Sequence, residues 1–219
     1  MREKVEKVEK ALNRLNKILP IKGNQEKSSA QVKKLHQQIL RSFVVNGRIL
    51  KKEEMSEFVD DVDGAVDILK SGDMVTFSKS GDPEGAYHFT MQKREHEIQV
   101  NGHLVHAMCA LDALAIGPMF GETTQITSQC RVTGDPIKIT MSGETIQNFE
   151  EVHDVQFGIA WEATDSQSCC ADSLCMEMIF LRDSDIAQSW LADNSEGKEV
   201  FTLGEAVDFS TGFFLPLMS

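Results

Sequence analysis

The sequence predicts an α+β fold, with a helical, winged-helix-like N-terminal half followed by a domain built on a mixed or antiparallel sheet. Three patterns carry that expectation. Through roughly the first seventy residues, apolar side chains recur at three- and four-residue steps, the spacing of a helix face. From Thr123 onward, short runs of apolar residues, alternating or continuous, sit between polar turns, as strands do. Between the two regions stands Asn101-Gly102, a dipeptide suited to a two-residue hairpin.

Taken in order, residues 2–19 read as an amphipathic helix, with Val5, Val8, Ala11, Leu12, Leu15 and Leu19 on one face and Pro20 and Gly23 ending it. Such a stripe needs a cover, most simply the domains that follow. Ser28-Ser29 caps a helix over 29–45, whose face is Val32, Leu35, Ile39, Leu40 and Phe43, and Asn46-Gly47 turns the chain. Two short helices over 51–59 and 62–69, then strands over 74–77 and 86–90 about the turn 79–83, complete a winged-helix pattern. The third helix of that pattern holds Asp60, Asp61, Asp63 and Asp67. Carboxylates in the recognition position repel phosphates, so the unit reads as a scaffold and not as a DNA reader.

The expected division is an N-terminal helix at 1–24, the winged-helix-like unit at 25–95 and a second domain at 96–219. In the second domain, a strand at 97–100 turns at Asn101-Gly102 into a helix over 103–116, broken at Gly117-Pro118. Strands are expected over 124–132, 137–141, 155–161 and 176–181, then a short helix over 185–192 around Trp190. The closing stretch 204–214 brings Phe209, Phe213 and Phe214 onto the core.

Composition narrows the function classes. The 219 residues are 41% hydrophobic and 26% charged, ordinary for a globular chain. No apolar run approaches the ~20 residues of a membrane span, and the charged N-terminus has no apolar signal region, so a cytoplasmic protein is expected. Residues 1–42 hold 11 Lys and Arg against 4 Asp and Glu, a surplus of +7; the rest hold 11 against 30, or −19. A chain so acidic beyond its start is a poor nucleic-acid binder. Five cysteines without a C-x-x-C pair argue against a zinc ribbon, and a reducing compartment argues against disulfides. His103, His106 and His153 lack zinc-site spacing, and no phosphate loop or G-x-S-x-G occurs.

The chemistry gathers in two segments. His106-Ala-Met-Cys-Ala-Leu-Asp-Ala-Leu114 sets Cys109 and Asp112 three residues apart in an apolar run. On a helix of about 3.6 residues per turn the two share one face. Ser173-Leu-Cys-Met-Glu177 adds Cys175. Two thiols and an acid among apolar neighbours point to soft-metal chemistry coupled to a proton transfer.

The first segment resembles the active-site helix of the organomercurial (alkylmercury) lyases. Ser128-Gln-Cys-Arg-Val-Thr-Gly-Asp-Pro136 is similar to that family's strand and turn with a structural cysteine. Ser173-Leu-Cys-Met resembles the segment bearing its second active-site cysteine, with Trp190 fifteen residues on. The resemblance covers roughly residues 30–215 and makes 96–219 the catalytic domain. It implies Cys109 and Cys175 as mercury-binding thiolates, Asp112 as the proton donor beside the product Hg(II), and Cys130 as structural. It further implies protonolysis of a carbon–mercury bond, no resident cofactor, low-molecular-weight thiols to release Hg(II), and a mercuric reductase as its acceptor. No nucleic-acid or membrane partner is expected, and the protein is expected to be a monomer or weak dimer. Met176 departs from well-known members, which carry a second cysteine there.

Blander readings accompany these residues. A single Cys in an apolar helix is usually a small buried hydrophobe. Cys169 and Cys170 fall in a loop, with capture or exit of mercury as the second reading. Two rival functions remain at this point. One is a metal-sensing winged-helix transcriptional regulator. The other is a non-catalytic thiolate carrier of Hg(II) or Cu(I).

Overall fold

The computed structural model describes residues 2–164, 169–193 and 195–219, with side chains from Lys4 onward. Helices α1 (Arg2–Ile18), α2 (Ile21–Lys27), α3 (Ala30–Asn46), α4 (Lys52–Met55) and α5 (Val62–Ser71) lead into strands β1 (Val75–Phe77), β2 (Pro83–Ala86) and β3 (Phe89–Thr90). Then come β4 (His96–Val100), β5 (His103–Ala107), α6 (Ala110–Phe120), β6 (Thr123–Gln129), β7 (Pro136–Ser142), β8 (Thr145–Ile146) and α7 (Phe149–Val152). The chain closes with β9 (Gln156–Ala160), β10 (Met178–Leu181), α8 (Ser184–Ala192), β11 (Lys198–Thr202) and α9 (Leu203–Phe214).

The strands make two antiparallel sheets. One has eight strands in the order β1-β2-β3-β5-β4-β6-β7-β8; the other has three, β10-β9-β11. The β4–β5 hairpin pairs Val100 with His103 across Asn101 and Gly102, whose φ angles of 49° and 81° both lie in the left-handed region. That is the two-residue turn whose twist suits the flanking strands. Pairing of β3 with β5 carries the large sheet without a break across residue 95, where the sequence suggested a boundary.

Helix α6 lies against both sheets and α9, and nine of its eleven residues are buried. A helix apolar on every side has no solvent face, so it belongs at the centre of the molecule. Gly117 permits one of its contacts, because a Cβ there would stand 2.8 Å from the carbonyl oxygen of Gly143. The aromatic residues of α9 are buried, as expected, with Phe209 meeting Phe157 and Phe201. Helix α1 covers α9 with Val8, Ala11 and Leu15 inward, and Arg14 stacks 4.6 Å over Trp161. Ser29 caps α3 by accepting from the Val32 N–H. In α5, Asp61 is the cap, accepting from the Gly64 N–H.

Four local expectations change. Residues 103–107 are a strand, and the helix begins only at Ala110, because the inward Val105 and Ala107 follow a period of two. The helix then runs through Gly117-Pro118 to Phe120, with Pro118 in its last turn at the loss of one hydrogen bond to the Leu114 carbonyl. Helix α1 does end before Pro20, but Pro20 then stands at the N-cap of a further helix, α2, which runs through Gly23. Residues 174–177 form a 3-10 turn, and the strand starts at Met178.

Candidate active site

Two chain segments approach each other at the N-terminus of α6. On one side, β5 ends at Ala107, and the Met108 N–H donates to the His88 carbonyl at 3.1 Å. Cys109 follows in extended backbone, φ −150° and ψ 177°, and is the N-cap of α6. Its Sγ accepts from the Asp112 backbone N–H at 3.4 Å. The relation of thiol to acid is thus cap to third helical residue, not two positions inside one helix.

The other side is the stretch from Cys169 to Glu177, folded as two 3-10 turns with Cys175 in the second. Ser168, which opens the cysteine-pair segment in the sequence, lies outside the described residues. Two side chains from connections of the large sheet, Tyr87 between β2 and β3 and Arg94 between β3 and β4, hold this stretch. Arg94 donates to the Ala171 carbonyl at 2.7 Å and to the Asp172 carboxylate at 3.0 Å. Tyr87, buried completely, accepts from the Ala171 N–H at 2.8 Å and donates to Asp73 at 3.2 Å.

These supports bring Cys109, Asp112 and Cys175 together, with ligand atoms all within 4.8 Å of one another. Each of the three is at most 3% exposed. Among the described residues, neither carboxylate oxygen of Asp112 has a hydrogen-bond partner. Burial pushes this carboxyl up to about 7, against the pull of Cys109 and Arg94, so both protonation states are accessible near neutral pH. Burial likewise pushes the Cys109 thiol up to about 12, despite the favourable field at a helix N-terminus. Cys175 is raised as well, because it shares protons with the Cys109 and Cys170 sulfurs and is buried. The resting thiols are therefore protonated, and a soft metal that captures one must displace its proton.

One cleft reaches this cluster at Cys175, and a second opens beside it. The first, about 450 Å³, is lined by Cys175, Met108, Met176, His96, Arg94 and Arg131, among others. The second, about 430 Å³, is lined by Asp73, Phe77, Thr90 and Cys169, and shares Arg94, Met108 and Asp172 with the first. Glu95 bridges His96 and Arg131 at 3.2 and 2.7 Å; burial opposes its ionisation, but these two partners hold it down at about 2.

The remaining candidates lie elsewhere. Cys130 is buried at the turn after β6, where the Asp135 carbonyl accepts from its N–H. Trp190 packs over Gly158 of the small sheet. His36 and His88 are completely buried, and burial drives them down to about 4 and about 3, which keeps them neutral. Sequence reading missed Arg94, Tyr87 and Met178, whose Sδ is 3.6 Å from the Cys109 sulfur. None has a local pattern that marks it, since each joins the site through contacts distant in sequence.

Comparison with known proteins bears on this cluster. The family model for alkylmercury lyase matches residues 89–214. An alkylmercury lyase of Pseudomonas putida is 28% identical over 101 residues, 46% of each chain. One of Bacillus cereus is 28% identical over 119 residues, 54% of this chain and 53% of its own. One of Streptomyces lividans is 22% identical over 156 residues, 71% of each. The first two alignments span about half the length of those relatives. A crystal structure of the mercury-bound form of MerB2 superposes with a TM-score of 0.73 over 91% of this chain and 98% of that one. At 18% identity, that likeness speaks for the fold alone.

Proposed function

The chain belongs to the alkylmercury lyase family, and from that premise we propose that it cleaves the carbon–mercury bond of organomercurials by protonolysis. The observation that carries the reading is the buried group of two thiols and an unpartnered, easily protonated carboxyl. A passive carrier needs sulfur but has no use for such an acid. A DNA-binding regulator is disfavoured by the carboxylates at and before the start of the helix Val62–Ser71, Asp60, Asp61 and Asp63.

The substrate arrives as R–Hg–X, where X is a thiolate or other displaceable ligand. Asp112, as carboxylate, takes the Cys109 thiol proton while the sulfur bonds to mercury. Cys175 then bonds to mercury in place of X, and its proton leaves with X. The second sulfur adds electron density to mercury and weakens the bond to carbon. Asp112 delivers its proton to the departing carbon, giving R–H. Mercury is left on Cys109 and Cys175, and Asp112 is again a carboxylate.

No resident cofactor is needed in this scheme. Small thiols would remove the product, and a mercuric reductase is the chemically suited acceptor. Residues 25–95 act as a winged-helix-like scaffold that also lends Tyr87 and Arg94 to the support of the site, and the protein acts in the cytoplasm as a monomer or weak dimer. No described helix is long and apolar enough to cross a membrane. The test is benzene release from phenylmercuric acetate in excess thiol, by wild type and Asp112→Ala. Repeated turnover by wild type and little by the variant supports the reading. Tight mercury binding without benzene from either overturns it.

A further inference from the structure

Cys170 has no role in that scheme, yet it belongs to the same sulfur cluster. It is 6% exposed, and its Sγ lies 3.6 Å from the Cys175 Sγ. Cys175 is the sulfur that both Cys109 and Cys170 neighbour, so the thiols form a row with Cys175 in the middle. Cys109 and Cys170 line neither of the two clefts themselves, but their neighbours do. Cys175 lines the first cleft, whereas Cys169, next to Cys170 in the chain and partly exposed, lines the second. The Arg94–Asp172 ion pair, with both residues lining each cleft, stands between the two openings.

We propose that Cys170 is the product-side thiol of the mercury site, taking over from Cys109 so that Cys175 and Cys170 hold Hg(II) on its way to the second cleft. This inference rests on the lyase reading for its substrate. In the exchange, the Hg–S bond to Cys109 breaks and one to Cys170 forms. The proton lost by the Cys170 thiol is the one that restores the Cys109 thiol, so nothing is oxidised or reduced. Soft thiolates exchange readily on a soft metal, and a neighbouring sulfur avoids freeing the ion into water. The exchange also vacates Cys109, the sulfur that must meet the next substrate.

The test loads one equivalent of Hg(II) directly onto the folded protein and counts mercury–sulfur bonds by X-ray absorption. In Cys109→Ser the expected count is two, from Cys175 and Cys170. In Cys109→Ser/Cys170→Ser it falls to one, with Hg(II) affinity down by at least a hundredfold. Cys109→Ser/Cys169→Ser keeps two. A single sulfur in Cys109→Ser overturns the proposal, and so does a double variant lacking Cys170 that keeps both bonds. If the double serine variant does not fold, Cys109→Ser alone decides through its count, and Cys109→Ser/Cys170→Ala replaces it. Benzene release by wild type is read separately, so the lyase reading can fail while this site stands, or the reverse.

Discussion

The Sγ of Cys109 accepts a hydrogen bond from the backbone N–H of Asp112 at 3.4 Å, so the thiol caps the helix that carries the carboxyl. One local motif sets both residues. The cap turns the thiol back over the first helical turn, and the third residue of that turn projects beside it. The position of the acid relative to the thiol therefore depends on the helix end and not on distant packing.

Because serine is a good N-cap, Cys109→Ser should keep the fold while losing the soft nucleophile. Hydrocarbon release is expected to fall by roughly 10³-fold or more. Unfolding stability should change by no more than about 2 kcal/mol. Benzene release and urea unfolding of the same preparation check the two halves. Loss of activity together with loss of the folded state would mean that Cys109 matters chiefly as a cap.

Asp112 makes a prediction about pH on two observables. In the proposed scheme, capture of mercury by Cys109 needs the carboxylate as base, so kcat/KM should rise with pH through about 7 and then level, with no such inflection in Asp112→Asn. Stability moves the other way. A carboxyl raised from 3.8 to about 7 by folding binds more protons in the native state between those values. Its contribution is intact below the unfolded pKa and is lost as pH rises through the folded one, on the order of 4 kcal/mol in all. Thermal unfolding of wild type should fall relative to Asp112→Asn between pH 4 and pH 7. Parallel curves would refute the shift.

The sequence made the site legible in composition more than in geometry. Three-residue spacing brought Cys109 to Asp112 by assuming a continuous helix, whereas a strand and a cap achieve the same proximity. The two routes coincide because a cap reaches the third helical residue just as a helical side chain reaches the third along. The phase of α6 was hidden because an all-apolar helix has no polar face to set a period. Strand β11 was missed for the opposite reason: Lys198-Glu-Val-Phe-Thr202 has too few apolar residues to stand out, and it is placed by pairing with β9. The α+β class, the turn at Asn101-Gly102 and the burial of Phe209, Phe213 and Phe214 were readable because each rests on local pattern, whereas β5, the second strand of that hairpin, was expected as helix.

Tyr87 ties the cysteine stretch to the large sheet through one hydroxyl with two partners. In Tyr87→Phe the Ala171 N–H and the Asp73 carboxylate each lose a partner. A cost of about 1–3 kcal/mol is expected in urea unfolding. Hydrogen exchange should rise at Ala171 and Cys175 before it rises in β9 or β10. Uniform exchange across the domain would mean that Tyr87 acts as general core and not as an anchor for the thiols.

Arg94 combines an anchor with a charge, and the two can be separated. Its guanidinium holds the Ala171 carbonyl and Asp172 while lowering the proton affinity of Asp112. Arg94→Met removes both effects. The inflection of kcat/KM should move to higher pH, because Asp112 loses the cation that favours its ionised form. Stability should drop by about 1.5–3 kcal/mol from the lost charge-assisted hydrogen bonds. Arg94→Lys keeps the charge but not the two-pronged grip, so it should return the inflection toward the wild-type pH while leaving much of the stability loss. If Lys and Met variants show the same inflection, the charge of Arg94 does not act on Asp112, and its part in the site is the grip on the cysteine stretch alone.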